Sequence, residues 1–466
     1  MSRFRSLIRS PFSALYDEAR LLPDIRRSMH AIIVANIFGN LCGIVTNGPA
    51  LAGFAGALKA NDLSFGLLSG IPFAATLLQI PFASLVSRTQ KRKKYMLTLG
   101  LTSRLLWILV GLVPYFVPMD PVWLRLWSVI FLVGISSFGG AVINVSWFPW
   151  LSDLLPMRIR GRWFSLRDSI NSLIGTLFGL LIAFLLDSIP GFPGYSLVFV
   201  LGGIFGTLDM ASFVFVKEVY SQPPQKVKIL PTFKKILQDK PFVRLTLFWT
   251  AWCFTANICG PYLNRYALDE MGLNFTQVTL SSQIASALTT FLVVSRWGRV
   301  FDRYGSKPVL WVSCIVAALT PGFFLFSVPG SFCPMLLHNV VGATFWSAAN
   351  LVVTAMQLSH SPDDLRPSYI AVFSCMANLC GTFLGTLVGG VLIEGTRALV
   401  LEHGFDLFGL LADPYKVAVF VSCLTRLGIV LYFVSHMEDE KGISAIRMVK
   451  EIAAGLRPRA GGAPRA

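Results

Sequence analysis

Long apolar stretches alternate with short polar segments along the chain, and twelve of these stretches are long enough to cross a bilayer. A membrane-crossing helix needs about 20 mostly apolar residues. Backbone groups inside hydrocarbon cannot pair with water, so the stretches are predicted to be helices. The predicted spans are 30–57, 63–86, 95–117, 124–153, 163–187, 195–217, 242–264, 276–297, 307–328, 333–357, 368–394 and 415–436. The pattern therefore predicts an all-α integral membrane protein.

The second six spans repeat the polar positions of the first six, which predicts two pseudo-symmetric six-helix bundles. The matched pairs are Asn36 with Thr246, Asn40 with Thr250, Gly43 with Cys253 and Asn47 with Asn257 at a shift of 210 positions, and Asn144 with Asn350 and Arg160 with Arg366 at a shift of 206. Residues of each stripe lie on one helix face. The repeat therefore indicates that both halves present a polar face.

Parallel repeats of this kind place a substrate site between the halves, near mid-membrane. Trp346 shares a face of span 10 with Asn339 and Asn350, and offers a flat surface beside the amides. The alternative is that these polar residues only join neighbouring helices. For Trp147 and Trp150 in span 4, interface anchoring is the main interpretation and cavity lining the alternative. The predicted cavity residues are Asn36, Asn40, Asn47, Asn144, Thr246, Thr250, Asn257, Asn339, Trp346 and Asn350.

Composition and charge support a membrane protein and argue against a nucleic-acid partner. The chain is 54% hydrophobic and 14% charged, whereas a soluble domain carries about 25% charged residues. The net charge of +16 comes from Lys and Arg crowded into alternate loops and both tails. Basic loops stay on the cytoplasmic side. We therefore expect a multi-pass protein of the plasma (inner) membrane, with the lipid bilayer as partner and both termini in the cytoplasm.

The predicted domain boundaries follow from this topology. They are a cytoplasmic tail at 1–29, a first bundle at 30–217, a cytoplasmic linker at 218–240, a second bundle at 241–437 and an amphipathic cytoplasmic tail at 438–466. The eight cysteines lie almost all within spans and lack metal-ligand spacing, so they read as small core residues. With no nucleophile or phosphate-loop constellation either, the sequence predicts neither an enzyme nor a cofactor.

The segment Gly298-Arg299-Val300-Phe301-Asp302-Arg303-Tyr304-Gly305-Ser306-Lys307-Pro308 between spans 8 and 9 resembles the motif loop of the major facilitator superfamily. Residues 87–93 between spans 2 and 3 carry a degenerate copy, with Ser87 in place of the acid. The resemblance covers about 30–437. It implies two bundles that rock about a central site, with spans 1, 4, 7 and 10 lining the cavity and spans 3, 6, 9 and 12 outermost.

In this family the motif acid helps to close the cytoplasmic side against a helix start in the other half. The charges here predict a latch with its signs exchanged in one half. Whenever the cytoplasmic side is closed, we expect Arg88 beside Asp153, the 91–93 segment near Asp363 or Asp364, and Asp302 beside Arg160 and Arg162. The alternative is that these charges only set topology. The motif and latch residues are Arg88, Lys91, Asp153, Arg160, Arg162, Gly298, Asp302, Arg303, Gly305, Asp363 and Asp364.

Ionisable residues inside spans are functional hypotheses by default. Arg104 in span 3 and Asp209 in span 6 lie at similar depth and are expected to form a structural ion pair. Asp168 in span 5 is the candidate proton-coupling residue, and a first-turn acid that complements the helix dipole is the alternative.

These features predict a secondary active transporter of a small, neutral, polar solute that resembles a sugar or a nucleoside, working as a monomer by alternating access. Proton and sodium are the open choices for a coupling ion. The alternatives are an exporter of amphipathic compounds and a non-transporting membrane assembly factor of the same fold. Span 5 has Gly175 and Gly179 without the proline of the efflux motif, which argues against a drug–proton antiporter.

Overall fold

The computed structural model describes residues 12–13, 15–17, 19, 21–118, 120–219, 235–362, 365–403, 413–437 and 444–456. Most of these residues are helical, and none of them forms a β-strand. The fold is therefore all-α, as predicted. Most of the predicted linker, 220–234, and the acids Asp363 and Asp364 lie outside the described residues.

Six helices form the first half. They are α1 (Pro23–Thr46, continued by Pro49–Ala57), α2 (Asp62–Ala74 and Gln79–Thr89, joined by a 3₁₀ turn), α3 (Arg92–Phe116), α4 (Val122–Leu154), α5 (Met157–Ser188) and α6 (Phe192–Ser212). All six are long and apolar enough to cross a membrane.

Six further helices form the second half. They are α7 (Lys240–Asp269), α8 (Phe275–Leu288 and Val294–Tyr304, joined by a π turn), α9 (Ser306–Leu319 with a 3₁₀ extension), α10 (Cys333–Ser359), α11 (Arg366–Cys375 and Leu384–His403, joined by the π segment Met376–Phe383) and α12 (Pro414–Ile429 with a π extension). Among these, α9 to α12 meet the length and hydropathy expected of a span. A short helix, α13 (Ala445–Leu456), follows.

The predicted first span is broken in the middle. Asn47 ends the first piece of α1, and Gly48 takes a φ of +69° that a side chain would disfavour. Pro49 then opens the second piece, where its missing N–H removes no helical hydrogen bond. Asn47 is therefore exposed at a helix break, not inside a continuous stripe.

The internal repeat is visible in the packing. α1 packs against α5 and α6 as α7 packs against α11 and α12, and α3 packs against α4 and α6 as α9 packs against α10 and α12. Between the halves, α2 packs against α11 and α5 against α8. α3, α6, α9 and α12 make their main contacts inside their own half, in agreement with the outermost position expected for them.

The two ends of the bundle differ. We call the end that carries the α2–α3, α4–α5 and α8–α9 loops the basic end, and the other the opposite end. The helix pieces at the basic end, Gln79–Thr89, Val294–Tyr304 and Arg366–Cys375, pack mainly within their own half. The close packing between the halves is therefore concentrated toward the opposite end.

Candidate functional site

A polar cavity of about 160 Å³ lies in the first half. Asn36 from α1 and Asn144 and Trp147 from α4 line it, and Arg104 and Asp209 complete its wall. Asn171 of α5 donates a hydrogen bond to Asn36 Oδ1, and Asn40 Nδ2 donates to the Asn171 carbonyl oxygen at 3.0 Å. The structure thus brings three predicted cavity residues of this half close together, and it places Trp147 in the wall instead of leaving it only as an interface anchor.

Arg104 and Asp209 meet in this wall, with Nη2 and Oδ2 3.4 Å apart. The Asp209 side chain is 7% exposed, and Arg104 also lies 3.7 Å from the Cys42 sulfur. Gly39 makes room for the pair, because a Cβ there would lie 2.9 Å from Asp209 Oδ2. The expected partners are therefore adjacent, and they face a cavity as well as each other.

A second cavity, of about 220 Å³, lies between the halves. Asn47 and Gly179 line it from the first half, and Thr279, Ser282 and Gln283 line it from the second. Thr176 on α5 donates a hydrogen bond of 3.0 Å to Gln283 on α8. This cavity therefore joins amide and hydroxyl groups from both repeats.

A third cavity, of about 430 Å³, lies along α8 and α10. Asn339 and Trp346 line it together with Ser286, and Ser282 is shared with the second cavity. Asn339 Nδ2 donates to Ser281 Oγ at 2.8 Å, and Trp346 packs 5.5 Å from the Trp252 ring. The second and third cavities thus adjoin and extend from α1 to α10.

The α7 stripe does not join these cavities. Thr246 is buried, and its hydroxyl donates to the Phe242 carbonyl of its own helix at 2.8 Å. Thr250 is buried within the second half, and Asn257 donates to the Cys253 carbonyl at 2.8 Å. Short polar side chains on a helix often hydrogen-bond to a carbonyl in the preceding turn of the same helix. The spacing of the residues alone does not predict these bonds. Asn350 is exposed on α10, and the structure does not place it in the three cavities.

The basic end pairs its charges differently from the prediction. Asp153 binds Arg92, with Nη1 and Oδ2 2.7 Å apart, whereas Arg88 and Lys91 are exposed. The Arg88–Asp153 pair, which is predicted for a closed cytoplasmic side, is not formed in this conformation. The reason is that Arg92 begins α3, lies over the Trp150 ring and is almost fully buried beside the end of α4.

The remaining motif residues occupy the ends of α5 and α8. Arg160 and Arg162 lie in the first turns of α5, and Arg160 Nη2 donates to the Leu155 carbonyl at 3.1 Å. Asp302 is exposed near the end of α8. Gly298 lies inside that helix, and Gly305 ends it with a φ of +88°, a conformation that requires glycine. Arg303 binds Glu451 of α13 at 3.4 Å.

Asp168 is 59% exposed and pairs with its neighbour Arg167 at 2.5 Å. The Arg167 guanidinium lies 4.6 Å from the centre of the Phe164 ring and 5.4 Å from that of Trp147. Arg167 therefore links Asp168 to Trp147 in the wall of the first cavity, and the Asp168 carboxylate is exposed.

The sequence analysis missed a cluster of charges at the opposite end. Asp62, the first residue of α2, is 2% exposed and accepts contacts from the second half. Arg397 Nη2 lies 2.6 Å from Oδ2, and Arg265 Nη1 lies 3.3 Å from Oδ1. The Tyr415 hydroxyl donates to Oδ1 at 2.8 Å. One carboxylate of the first half thus binds α7, α11 and α12 of the second.

Backbone contacts extend this cluster. Arg265 Nη2 donates to the Ala60 carbonyl at 2.6 Å, and the Asp62 N–H donates to Glu394 at 3.2 Å. Nearby, burial raises the pKa of Asp413 and of Glu270, and their mutual repulsion adds to the shift of Glu270. Arg265 and Arg397 are visible in the sequence as two of the few bases on this side of the membrane, but nothing there joins them to Asp62.

A second contact across the halves lies at the same end. Asp187 of α5 accepts hydrogen bonds from the Phe275 and Thr276 N–H groups at 2.8 and 2.9 Å, so it caps the start of α8. A carboxylate is favourable at a helix N-terminus. The opposite end is therefore closed by two acids of the first half that bind partners in the second.

The sequence profile of the Major Facilitator Superfamily matches residues 33–397. This chain belongs to that family. It is a multi-pass membrane protein of the family, with transmembrane helices in two halves.

Solved structures of the family share the fold with this member at low identity. A bacterial homolog of the human lysosomal transporter Spinster, in an inward-facing and unoccupied conformation, is 14% identical, with a TM-score of 0.69 over 92% of this chain and 99% of that one. A variant of the nucleoside transporter NupG is 13% identical, with a TM-score of 0.66 over 88% and 100%. A D-xylose–proton symporter is 13% identical, with a TM-score of 0.63 over 89% and 98%.

Curated relatives match over shorter segments. The efflux pump azaK of Aspergillus niger is 29% identical over 167 residues, 35% of either chain. A homolog of the multi-drug resistance efflux pump PmrA from Lactococcus lactis is 32% identical over 137 residues, 29% of this chain and 33% of that one. The chain thus spans about a third of the length of the curated relatives it matches.

Proposed function

We propose that this protein is a secondary active transporter that moves a small, neutral, polar solute, similar to a sugar or a nucleoside, by alternating access. The observation that carries the proposal is the pair of adjoining cavities that share Ser282 and draw polar groups from both halves. Asn47 and Gln283 supply donors and acceptors on one side, and Asn339 and Trp346 supply an amide and a ring on the other. Transporters of this architecture bind substrate at such an interface between repeats.

The chemistry of the lining supports a neutral solute. Amides and hydroxyls both donate and accept hydrogen bonds, and a solute that bears hydroxyl groups or a heterocycle can use both. The charged groups of the first cavity, Arg104 and Asp209, neutralise each other. These two lining residues therefore offer no net charge that would bind a substrate of opposite charge.

Alternating access supports a role for the cluster around Asp62. Asp62 and Asp187 hold the opposite end shut, so a solute would reach the site from the basic end. The basic loops predict that this end faces the cytoplasm of a cell with a plasma (inner) membrane. In the other conformation, the contacts of Asp62 would open and the proposed latch around Asp302 would close.

Export of amphipathic compounds is the second candidate. The names of the curated relatives, which are efflux pumps, favour it. Its cavity would need extensive apolar surface, and Ile44, Ile182 and Phe275 supply some of it in the second cavity. The amides and hydroxyls that recur along the three cavities support the first candidate over the second.

Thermal stabilisation of the purified protein tests the proposal. Ligand that binds the folded state raises the midpoint of unfolding by mass action. We expect one or more sugars or nucleosides to raise it, and we expect the rise to vanish in Asn339→Leu and in Trp346→Ala. The matched control is Thr425→Val, an exposed residue of α12 outside the three cavities.

The outcomes separate the candidates. Stabilisation by amphipathic cations alone would favour an exporter. Absence of binding by either class, together with recovery of the protein in a stable complex with other membrane proteins, would favour an assembly factor and reject transport.

A further inference from the structure

The helix α13 is attached to the motif loop between α8 and α9. Its Met448 is fully buried in the core of the second half, together with Tyr304 and Met437. Glu451 Oε2 accepts a hydrogen bond from the Tyr304 hydroxyl at 3.0 Å and lies 3.4 Å from Arg303 Nη2. Arg447, one turn earlier, binds the other carboxylate oxygen at 2.9 Å. One face of α13 therefore contacts Arg303 and Tyr304, the last two residues of α8.

The other face of α13 is apolar and basic at the same time. Ile446 is 67% exposed and Val449 is 47% exposed. Arg447 and Lys450 are exposed beside them. A helix that combines exposed aliphatic residues with Lys and Arg has the composition of an interfacial helix on an anionic membrane surface. α13 follows α12, which is one of the apolar spans, so a membrane surface lies close to α13.

A cavity of about 360 Å³ lies beneath this face, between the start of α9, the end of α12 and α13. Pro308, Trp311 and Ile446 form its apolar wall, and Lys307 and Ser444 form its polar rim. Lys307 Nζ donates to the Ser435 and Met437 carbonyls at 3.2 and 2.6 Å. An ammonium group has three protons, so it can donate to one further oxygen in the cavity.

We propose that this cavity binds an anionic phospholipid, with the phosphate at Lys307 and the hydrocarbon against Trp311 and Ile446. Basic pockets between helices on the cytoplasmic side of a membrane bind anionic headgroups in this way. The bound lipid fixes α13, and α13 in turn holds Arg303 and Tyr304 through Glu451. The motif loop is thereby linked to the composition of the surrounding membrane, whatever solute the protein carries.

Hydrogen exchange of the full-length protein in nanodiscs tests the site. The discs contain phosphatidylcholine alone or with phosphatidylglycerol, and exchange is measured for peptides that cover α13 and residues 303–307. We expect phosphatidylglycerol to slow exchange in both regions by about tenfold, since each basic residue near an anionic surface adds to binding. Ile446→Ser combined with Val449→Ser should abolish the protection. The control Leu237→Ser, with 55% exposure, should leave it intact.

Two variants separate the headgroup contact from simple packing. Lys307→Gln should remove the difference between the two lipids, and Lys307→Arg should restore it. Glu451→Gln should speed exchange at 303–307 while α13 keeps its response to phosphatidylglycerol. Equal exchange in both lipids for the unaltered protein would overturn the proposal. Equal protection by soluble glycerol phosphate in phosphatidylcholine discs would also overturn it, because a free phosphate would then be the ligand.

Discussion

At the scale of single residues, Asp62 is the residue of the first half that joins three helices of the second. Its carboxylate binds Arg397, Arg265 and Tyr415, and the three partners come from three different helices of the other half. The sequence could not reveal this cluster, because its members lie more than 200 positions from Asp62 and meet only when the halves dock. By contrast, Arg104 and Asp209 could be paired in advance from depth alone, since both lie within one half.

We expect Asp62→Asn to loosen the opposite end. Removing one partner of a buried ion pair typically costs about 3–5 kcal/mol, and the lower part of that range applies because Arg397 is 39% exposed. The measurement is the labelling rate of a cysteine introduced at Ala60, a residue that is 3% exposed, with a thiol reagent that cannot cross membranes.

Asp269→Asn is the matched control for that experiment. Asp269 binds the same Arg265 at 3.2 Å, but it is 38% exposed. Exposed pairs contribute about 0–1 kcal/mol, so labelling should change little. Equal labelling in both variants would show that Asp62 does not hold this end.

Asp168 gives a second prediction at this scale. Its carboxylate is exposed and bound to Arg167, which argues against proton coupling. The first-turn alternative is wrong as well, because α5 begins at Met157 and Asp168 lies well inside the helix. We expect Asp168→Asn to keep the accumulation driven by a pH gradient in proteoliposomes, once a substrate is known, and to lower only stability. Retained solute exchange with loss of the pH-driven accumulation would instead identify Asp168 as a coupling residue.

At the scale of elements, apolar length and polar spacing were sufficient to predict the helices and their repeat, but not where they break. Hydropathy cannot distinguish a continuous helix from two pieces that share one span, so the break at Gly48–Pro49 and the π segment of α11 were missed. The α7 residues Thr246, Thr250 and Asn257 do not line the three cavities. Spacing fixes the face of a helix but not the partner of each polar side chain, which for Thr246 and Asn257 is a carbonyl of their own helix.

Close approach between α2 and the second half leads to a prediction about Gly66. A Cβ at this position would lie 2.9 Å from the Thr386 carbonyl oxygen and would collide with the Tyr262 hydroxyl. Overpacking of this kind costs about 1–3 kcal/mol, and here it would destabilise the contact between the two halves. We therefore expect Gly66→Ala to open the opposite end, measured by labelling of the Ala60 cysteine.

Gly134→Ala provides the control for Gly66. No heavy atom lies within 4 Å of a Cβ there, and alanine is favoured over glycine in a helix by up to about 1 kcal/mol. Labelling should be unchanged and thermal stability equal or higher. If both variants label alike, the contact between α2 and α11 does not control the opening.

At the scale of the whole molecule, the two ends of the bundle have different kinds of contact. Asp62 and Asp187 close the opposite end, and the basic end carries exposed charges, among them Arg88, Asp302 and Arg162. Alternating access requires that one set of contacts forms as the other breaks. A conformational equilibrium of a few kcal/mol can be shifted by several weak contacts together.

Because one end closes as the other opens, charge changes at the two ends should alter the accessibility of the cavity in opposite directions. Asp302→Lys would face Arg160 and Arg162 with a like charge whenever the basic end closes, so the variant should remain open there. The labelling rate of a cysteine introduced at Asn144, which lines the first cavity, should then rise, whereas in Asp62→Asn it should fall. The double variant should lie between the two single variants. If Asp302→Lys leaves the rate at position 144 unchanged, the motif loop takes no part in closing the basic end, and its charges serve only to orient the chain in the membrane.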